Sequence, residues 1–319
     1  MKTALTILAL LAGSALQGQA VAQPLPISQQ QAPGYYRMML GNWQITAVSD
    51  GTVTVPLDKL LTNISSQKLR RLMAADNMTP AAETSINAFV INTGKQVILV
   101  DTGAGPLFGD AGGHLLENLR AAGFPPESID LVLLTHIHGD HSGGVQHNGK
   151  PAFPNAWVRV EQKDVDWWLT PANINRVEEG QRHTFAESEK SMRPVIDAGK
   201  LRTFHAPAEI IPGIEAVPAA GHTPGSVIYR VSNGGQTMML WGDIIHAKAV
   251  QMPDAEVAIH FDVDQKKAVL TRERVLRQVA RQGDWVAAAH ISFPGIGHVK
   301  QEGKGYRWVP VNYSAGMQK

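Results

Sequence analysis

The stretch that most constrains this chain runs Leu131-Val132-Leu133-Leu134-Thr135-His136-Ile137-His138-Gly139-Asp140-His141-Ser142-Gly143-Gly144. Its apolar opening reads as a buried strand. Alternate residues of a strand share a face, so His136 and His138 leave its end side by side. Gly139, Gly143 and Gly144 let the backbone turn sharply and bring Asp140 and His141 back to the same region. Four ligand-type side chains in six residues suit a metal site of imidazole and carboxylate. The sequence contains no cysteine, which removes thiolate ligands, disulfides and a cysteine nucleophile together.

Around this stretch the chain alternates strands and helices. Trp43–Val48 and Thr52–Val55 are strand-like, and Asp50-Gly51 between them predicts a hairpin turn. Residues 57–83 are mixed and helical in places, and strands follow at 86–92 and 96–100. A helix over 114–122 ends at Gly123 and Pro125-Pro126. The apolar strand spans 129–135, another 156–160, and a helix 162–169. Strands are expected at 214–217, 226–231 and 237–240, a long amphipathic helix at 264–282, and a last strand at 285–289 ending on His290. No linker divides the chain. Hairpins followed by alternating strands and helices predict one α/β (α+β) domain of two mixed sheets faced by helices.

The beginning of the chain reads differently. Lys2, an apolar run over 4–12 and the small residues Ala20-Val21-Ala22 predict a signal peptide at 1–22, hence an exported, periplasmic or secreted protein. The apolar run is about half the roughly 20 residues a membrane span needs, so no anchor is expected in the mature chain. Residues 23–41 read as an N-terminal arm, proline-containing and loose over 23–34, and 42–319 as the domain. Losing Lys2 takes the formal charge from +1 to 0, which argues against a nucleic-acid partner.

His-x-His-x-Asp-His resembles the metallo-beta-lactamase superfamily. So do Gly221-His222-Thr223-Pro224-Gly225-Ser226, Leu240-Trp241-Gly242-Asp243 and Ala288-Ala289-His290, in the expected order. The resemblance implies an αββα sandwich with two divalent cations. His136, His138 and His222 would bind one, Asp140, His141 and His290 the other, with Asp243 and a solvent hydroxide bridging them. Asp101 would support the cluster from behind, and Asp140 and Asp243 would serve catalysis. Zinc is the default for such ligands, with manganese, cobalt or iron(II) also fitting. Having Asp243 and no cysteine sets the chain apart from true beta-lactamases, which leaves that activity a lesser alternative.

Segments outside the metal motifs carry a narrower resemblance. Residues 32–38, Ser49-Asp50-Gly51-Thr52, residues 292–298 and residues 302–313 look like the methyl parathion hydrolase group. That implies a homodimer hydrolysing organophosphate triesters by attack of the bridging hydroxide. Phe108, Trp168 and Phe185 would form an aromatic pocket mouth, and His246 falls where that group is apolar. A phenolate leaves without protonation, which fits the lack of an obvious general acid. The alternative is a lactonase or arylesterase with triesterase side activity, whose alkoxide would take a proton from Asp243 or Asp140 through water. A non-catalytic metal-binding protein is a third reading. The remaining histidines (114, 147, 183, 205, 260 and 298) read as surface or capping groups.

Overall fold

Strand alternation sorts the apolar residues of this chain into three layers. The computed structural model describes residues 25–28 and 31–316, and the signal peptide expected at 1–22 lies outside the described residues. Residues up to Ala32 form a unit of their own, whose described part carries no helix or strand and exposes Leu25 and Ile27. The sheets and helices belong to the unit from Pro33 onward.

The first sheet has seven strands in chain order: β1 (Tyr35–Leu40), β2 (Trp43–Pro56), β3 (Ala81–Asn92), β4 (Val97–Val100), β5 (Leu131–Leu133), β6 (Trp157–Glu161) and β7 (Leu201–Phe204). It is antiparallel as far as β4 and parallel from β4 to β7. The second sheet also has seven: β8 (Ala208–Ile211), β9 (Ile214–Pro218), β10 (Val227–Asn233), β11 (Gln236–Leu240), β12 (Trp285–Ala287), β13 (Ile296–Glu302) and β14 (Gly305–Pro310). Within it β11 and β12 are parallel and the other pairs antiparallel.

The period of two assigns the layers. Along β4, Ile98 and Val100 enter the core between the sheets while Leu99 faces the outer helices. Along β11, Met238 and Leu240 point inward and Met239 outward. Among the described residues the α-helices of seven or more residues are α1 (Ser66–Ala75), α2 (Leu115–Ala121), α3 (Gln162–Trp168), α4 (His183–Asp197) and α5 (Gln265–Gln282). Leu115 and Leu119 of α2 and Met192 and Val195 of α4 cover the first sheet, and Val275, Leu276 and Val279 of α5 cover the second. This is the expected αββα sandwich. Each fully buried aliphatic side chain contributes about 1.5–3 kcal/mol, so packing holds the site in place. Among the described residues no helix is long and apolar enough to cross a membrane.

Two expectations need correction. Asp50-Gly51 does not turn a hairpin: β2 runs through it and pairs with β3 on both sides, with a register shift between Ser49 and Gly51. The Asp50 carboxylate points inward and accepts from the N–H groups of Ala104, Gly113 and Leu115 at 2.8, 3.0 and 3.0 Å. Those bonds stabilise a bulge where local turn propensity favours reversal. The N-terminal hairpin is instead β1 to β2 across Gly41-Asn42. Residues 35–40, expected in the arm, are therefore an edge strand of the domain.

Candidate metal centre

The C-terminal ends of parallel strands deliver the polar residues. β5 leads into Thr135 and His136, β4 into Asp101, β11 into Gly242-Asp243 and β12 into His290. His222 lies in the connection from β9 to β10. Asp101 adopts φ 58°, a left-handed conformation that turns the chain back under the histidines. A sharp turn at Gly242 (φ 56°) does the same for Asp243, and a Cβ there would lie 2.9 Å from Thr135 Oγ1.

All seven expected ligands come together. Their ligand atoms form the groups His136, His138, His222, Asp243 and Asp140, His141, His290, each within 4.8 Å. Asp243 lies between them: Oδ2 is 3.0 Å from His222 Nε2 and 3.7 Å from His136 Nε2. Its Oδ1 is 2.9 Å from His141 Nε2 and 3.1 Å from His290 Nε2. Asp140 Oδ2 reaches His290 Nε2 at 3.4 Å and His141 Nε2 at 3.7 Å.

The far side of four of the five rings is fixed by an acceptor. His141 Nδ1 donates to Asp101 Oδ2 at 2.9 Å, and Asp101 also accepts from Thr135 N and Oγ1 at 2.8 and 2.9 Å. That leaves Thr135 Oγ1 to accept from His136 Nδ1 at 3.0 Å. His290 Nδ1 donates to the Ser85 carbonyl and His222 Nδ1 to Asp262, both at 2.9 Å. The Nε2 atoms of these four rings and the Nδ1 of His138, 2.9 Å from His222 Nε2, therefore face one another. Like-charged and buried, they separate in pKa. Burial, then neighbouring imidazoles, hold His136 and His138 well below the usual histidine value despite Asp243. Burial opposes protonation of His222 and His141 too, but Asp243 and the neighbouring carboxylates outweigh it, raising His222 to about 9 and His141 well above normal. Burial would raise the Asp243 carboxyl, yet His141, His290, His222 and His136 together depress it well below the carboxylate range.

The donor set fits divalent cations. His136 Nε2, His141 Nε2 and Asp243 Oδ1 are buried and make no hydrogen bond, although His141 Nε2 and Asp243 Oδ1 are close neighbours. Such orphaned atoms are costly unless something takes their lone pairs. Imidazole and carboxylate together suit zinc and related metals.

Above the cluster lies a cavity of about 270 Å³. Apolar lining comes from Val53, Val55, Leu57, Leu60, Phe108 and Phe261; polar lining comes from Gln181 just before α4 and from His183, Thr184 and Glu187 at its start. Phe108 and His246 line it as expected. Trp168 and Phe185 do not. They are 1% and 7% exposed and pack edge-to-face in the core, with Trp168 also edge-on to His138 at 5.0 Å, so they back this expected ligand and leave the mouth to other residues. His183, expected as a surface group, is on the cavity rim.

Four residues with structural roles here escape a reading of the sequence. Asp262 orients His222, and buried Asp164 accepts from Ile137 N, Thr223 Oγ1 and Gly225 N. Arg272 ties together the surrounding loops, and Glu187 enters the cavity beside Gly139. None lies in a motif, and the partners of the Asp164 side chain and the ring that Asp262 orients are 27 or more residues away.

The family model of the metallo-beta-lactamase superfamily matches residues 81–290. The chain belongs to that superfamily. It is a metal-dependent hydrolase with the superfamily's fold. A solved structure described as hydrolase AbOPH in the beta lactamase superfamily is 36% identical, covers 89% of this chain and 100% of its own, and superposes with a TM-score of 0.85. The structure of AidC, a dizinc quorum-quenching lactonase in complex with a product, shares the fold at 24% identity and a TM-score of 0.82, covering 88% of this chain and 98% of its own. N-acyl homoserine lactonase AiiB of Agrobacterium fabrum is 26% identical over 38% of this chain and 54% of its own length. The atrochrysone carboxyl ACP thioesterase of Passalora fulva is 46% identical over 18% of this chain and 16% of its own. The chain thus spans about a sixth to about half the length of these curated relatives.

Proposed function

We propose that this superfamily member hydrolyses lactones and related carboxylic esters, with organophosphate triesters as slower side substrates. The observation that carries this reading is Glu187, a carboxyl on the cavity wall beside the expected ligands. Burial raises its pKa, and Asp140 adds to that against His183. An opening lactone leaves as an alkoxide and needs a proton, whereas a nitrophenolate does not. A carboxyl whose hold on a proton is strengthened at this place suits the first kind of leaving group and is superfluous for the second. Asp243, considered from sequence as the donor, is unsuited because four imidazoles keep it ionised. Asp140, in the same cavity, is the alternative source.

His136, His138 and His222 would hold one divalent cation and Asp140, His141 and His290 a second, with Asp243 shared. When bound, such cations supply a water of lowered pKa and polarise the carbonyl or phosphoryl oxygen. The rest falls to the chain. The apolar lining of Val53, Val55 and Leu60 seats an acyl or aryl group, and the start of α4 supplies polar groups that fix its orientation. The names of AidC and AiiB, both lactonases, support the same substrate class.

Triester hydrolysis as the main activity is the second reading, favoured by the likeness of residues 32–38, 292–298 and 302–313 to the methyl parathion hydrolase group. We also place the mature chain outside the cytoplasm, as residues 1–22 imply, and take it to act as a homodimer. A panel of lactones, aryl esters and paraoxon-type triesters on zinc-loaded protein separates the readings. We expect kcat/KM for the best lactone to exceed that for any triester by about 100-fold, or about 2.7 kcal/mol in the transition state. The reverse order would make triester hydrolysis primary.

A further inference from the structure

We infer that His246 is a positioning residue of this centre: it donates a hydrogen bond to Asp243 and fixes how that carboxylate is shared, without being a ligand. The inference rests on the dinuclear reading above. His246 is close enough to Asp243 and His290 to complete a third ligand group, so proximity alone does not assign it. Its far nitrogen does. A ligating imidazole has its other N–H tied to an acceptor. His136, His141, His222 and His290 meet that condition through Thr135, Asp101, Asp262 and Ser85. His138, half-buried, faces His222 Nε2 through its Nδ1 at 2.9 Å, and its far nitrogen is not a buried atom without a partner. His246 Nδ1 is buried and makes no hydrogen bond. A buried N–H without an acceptor is costly, and an ionised carboxylate can only accept. The proton therefore sits on Nε2, 3.0 Å from Asp243 Oδ2, and a protonated nitrogen cannot bind a cation.

The mounting is stiff. Gln251 Oε1 accepts from the backbone N–H groups of His246 and Ala247 at 2.8 and 3.0 Å, and Gln251 Nε2 donates to the Val257 carbonyl at 3.1 Å. The ring stacks on His290 with centroids 5.4 Å apart and planes at 19°. Asp243 Oδ2 thus has one lone pair occupied by His246 and the other turned toward His222 and His136, while Oδ1 serves His141 and His290. Without this donor the carboxylate is free to turn. The position formed by His136, His138 and His222, which depends on Oδ2, loses most.

Zinc binding by the full chain, measured in competition with a chelator, tests this, with the cobalt(II) absorption spectrum as a second readout. The wild type should take two equivalents. His246→Leu should weaken one of them by about 10–100-fold, the range for losing the partner of a metal ligand. His246→Gln, whose amide nitrogen reaches the Nε2 position, should restore most of that affinity and keep the wild-type cobalt spectrum. His246→Asn, with its amide at the Nδ1 position, should not. Wild-type affinity in His246→Leu overturns the inference. So does a His246→Gln chain that melts normally yet binds as weakly as the leucine variant, or whose cobalt spectrum shows an imidazole lost. A wild type that binds fewer than two equivalents overturns the dinuclear reading itself, a result distinct from these.

Discussion

A carboxyl that hands a proton to a leaving group matters in proportion to the basicity of that group. Glu187→Gln keeps the shape of the side chain and loses the transferable proton. We expect its kcat on an alkyl lactone to fall about 100-fold, at the lower end of what general acids contribute, with little change on a nitrophenyl ester. Equal losses on both, read from steady-state kinetics, would make Glu187 a binding residue only. Asp164 gives a second test at this scale, through pH. Its three donors favour the carboxylate, yet burial outweighs them and raises its pKa from 3.8 to about 6. Between those two values the folded chain holds a proton that the unfolded chain has released. The stability Asp164 contributes is therefore complete below the window and falls as pH rises through it. The melting-temperature advantage of wild type over Asp164→Asn should shrink from pH 4 to pH 7. An advantage that grows with pH would show that the hydrogen bonds outweigh burial.

At the scale of elements, α5 contributes more than its apolar face. Arg272 on this helix is 1% exposed, and its Nε donates to the Ile244 carbonyl, next to Asp243, at 2.8 Å. Its Nη1 donates to the carbonyls of Ala255 and Val257 at 3.1 and 2.6 Å, and Nη2 lies 3.7 Å from Asp262. One helical side chain thus joins the Asp243 loop to the residue that orients His222. Arg272→Met keeps the stem but removes a donor from three carbonyls and the cation beside Asp262 Oδ2, leaving Val257 only Gln251 and Asp262 only His222. We expect a loss of about 3–5 kcal/mol in urea unfolding, the cost of breaking a buried pair by removing one partner. A loss under about 1 kcal/mol, the value of an exposed pair, would show that water replaces the guanidinium. The helix itself is legible in the sequence: apolar spacing runs through it, the Asp264 side chain caps its start and Gly283 (φ 73°) ends it. α4 gives no such signal. It starts without a capping side chain and contains Pro194, yet it carries Glu187. Asp50-Gly51 has the right residues for a turn, and three distant N–H groups decide otherwise. The seven expected ligands are readable because each stands in a short motif or at a strand end. Asp164 and Asp262 act only across space, and neither Trp168 nor Phe185 reveals from sequence which side of His138 it packs on.

For the whole molecule, the cluster is also a junction. His136, His138, Asp140 and His141 come from the loop after β5 of the first sheet, and His222, Asp243 and His290 from loops of the second. Cations shared by these groups would tie the sheets together in a chain that has no disulfide to do so. A ligand that binds only the folded state, present at 100 times its Kd, adds about 2.7 kcal/mol. For a domain of this size 1 kcal/mol is about 2–4 °C in Tm. Chelation should therefore lower Tm by about 5–10 °C for each such cation, and zinc should restore it. The effect has a pH sign as well. Asp243 keeps His222 and His141 protonated in the cation-free cluster, and a cation must displace those protons before it can bind. The zinc-dependent gain in Tm should accordingly increase from pH 6 to pH 8. A Tm indifferent to chelator across that range would mean that protons alone satisfy the buried nitrogens, and that the cluster is not a cation site.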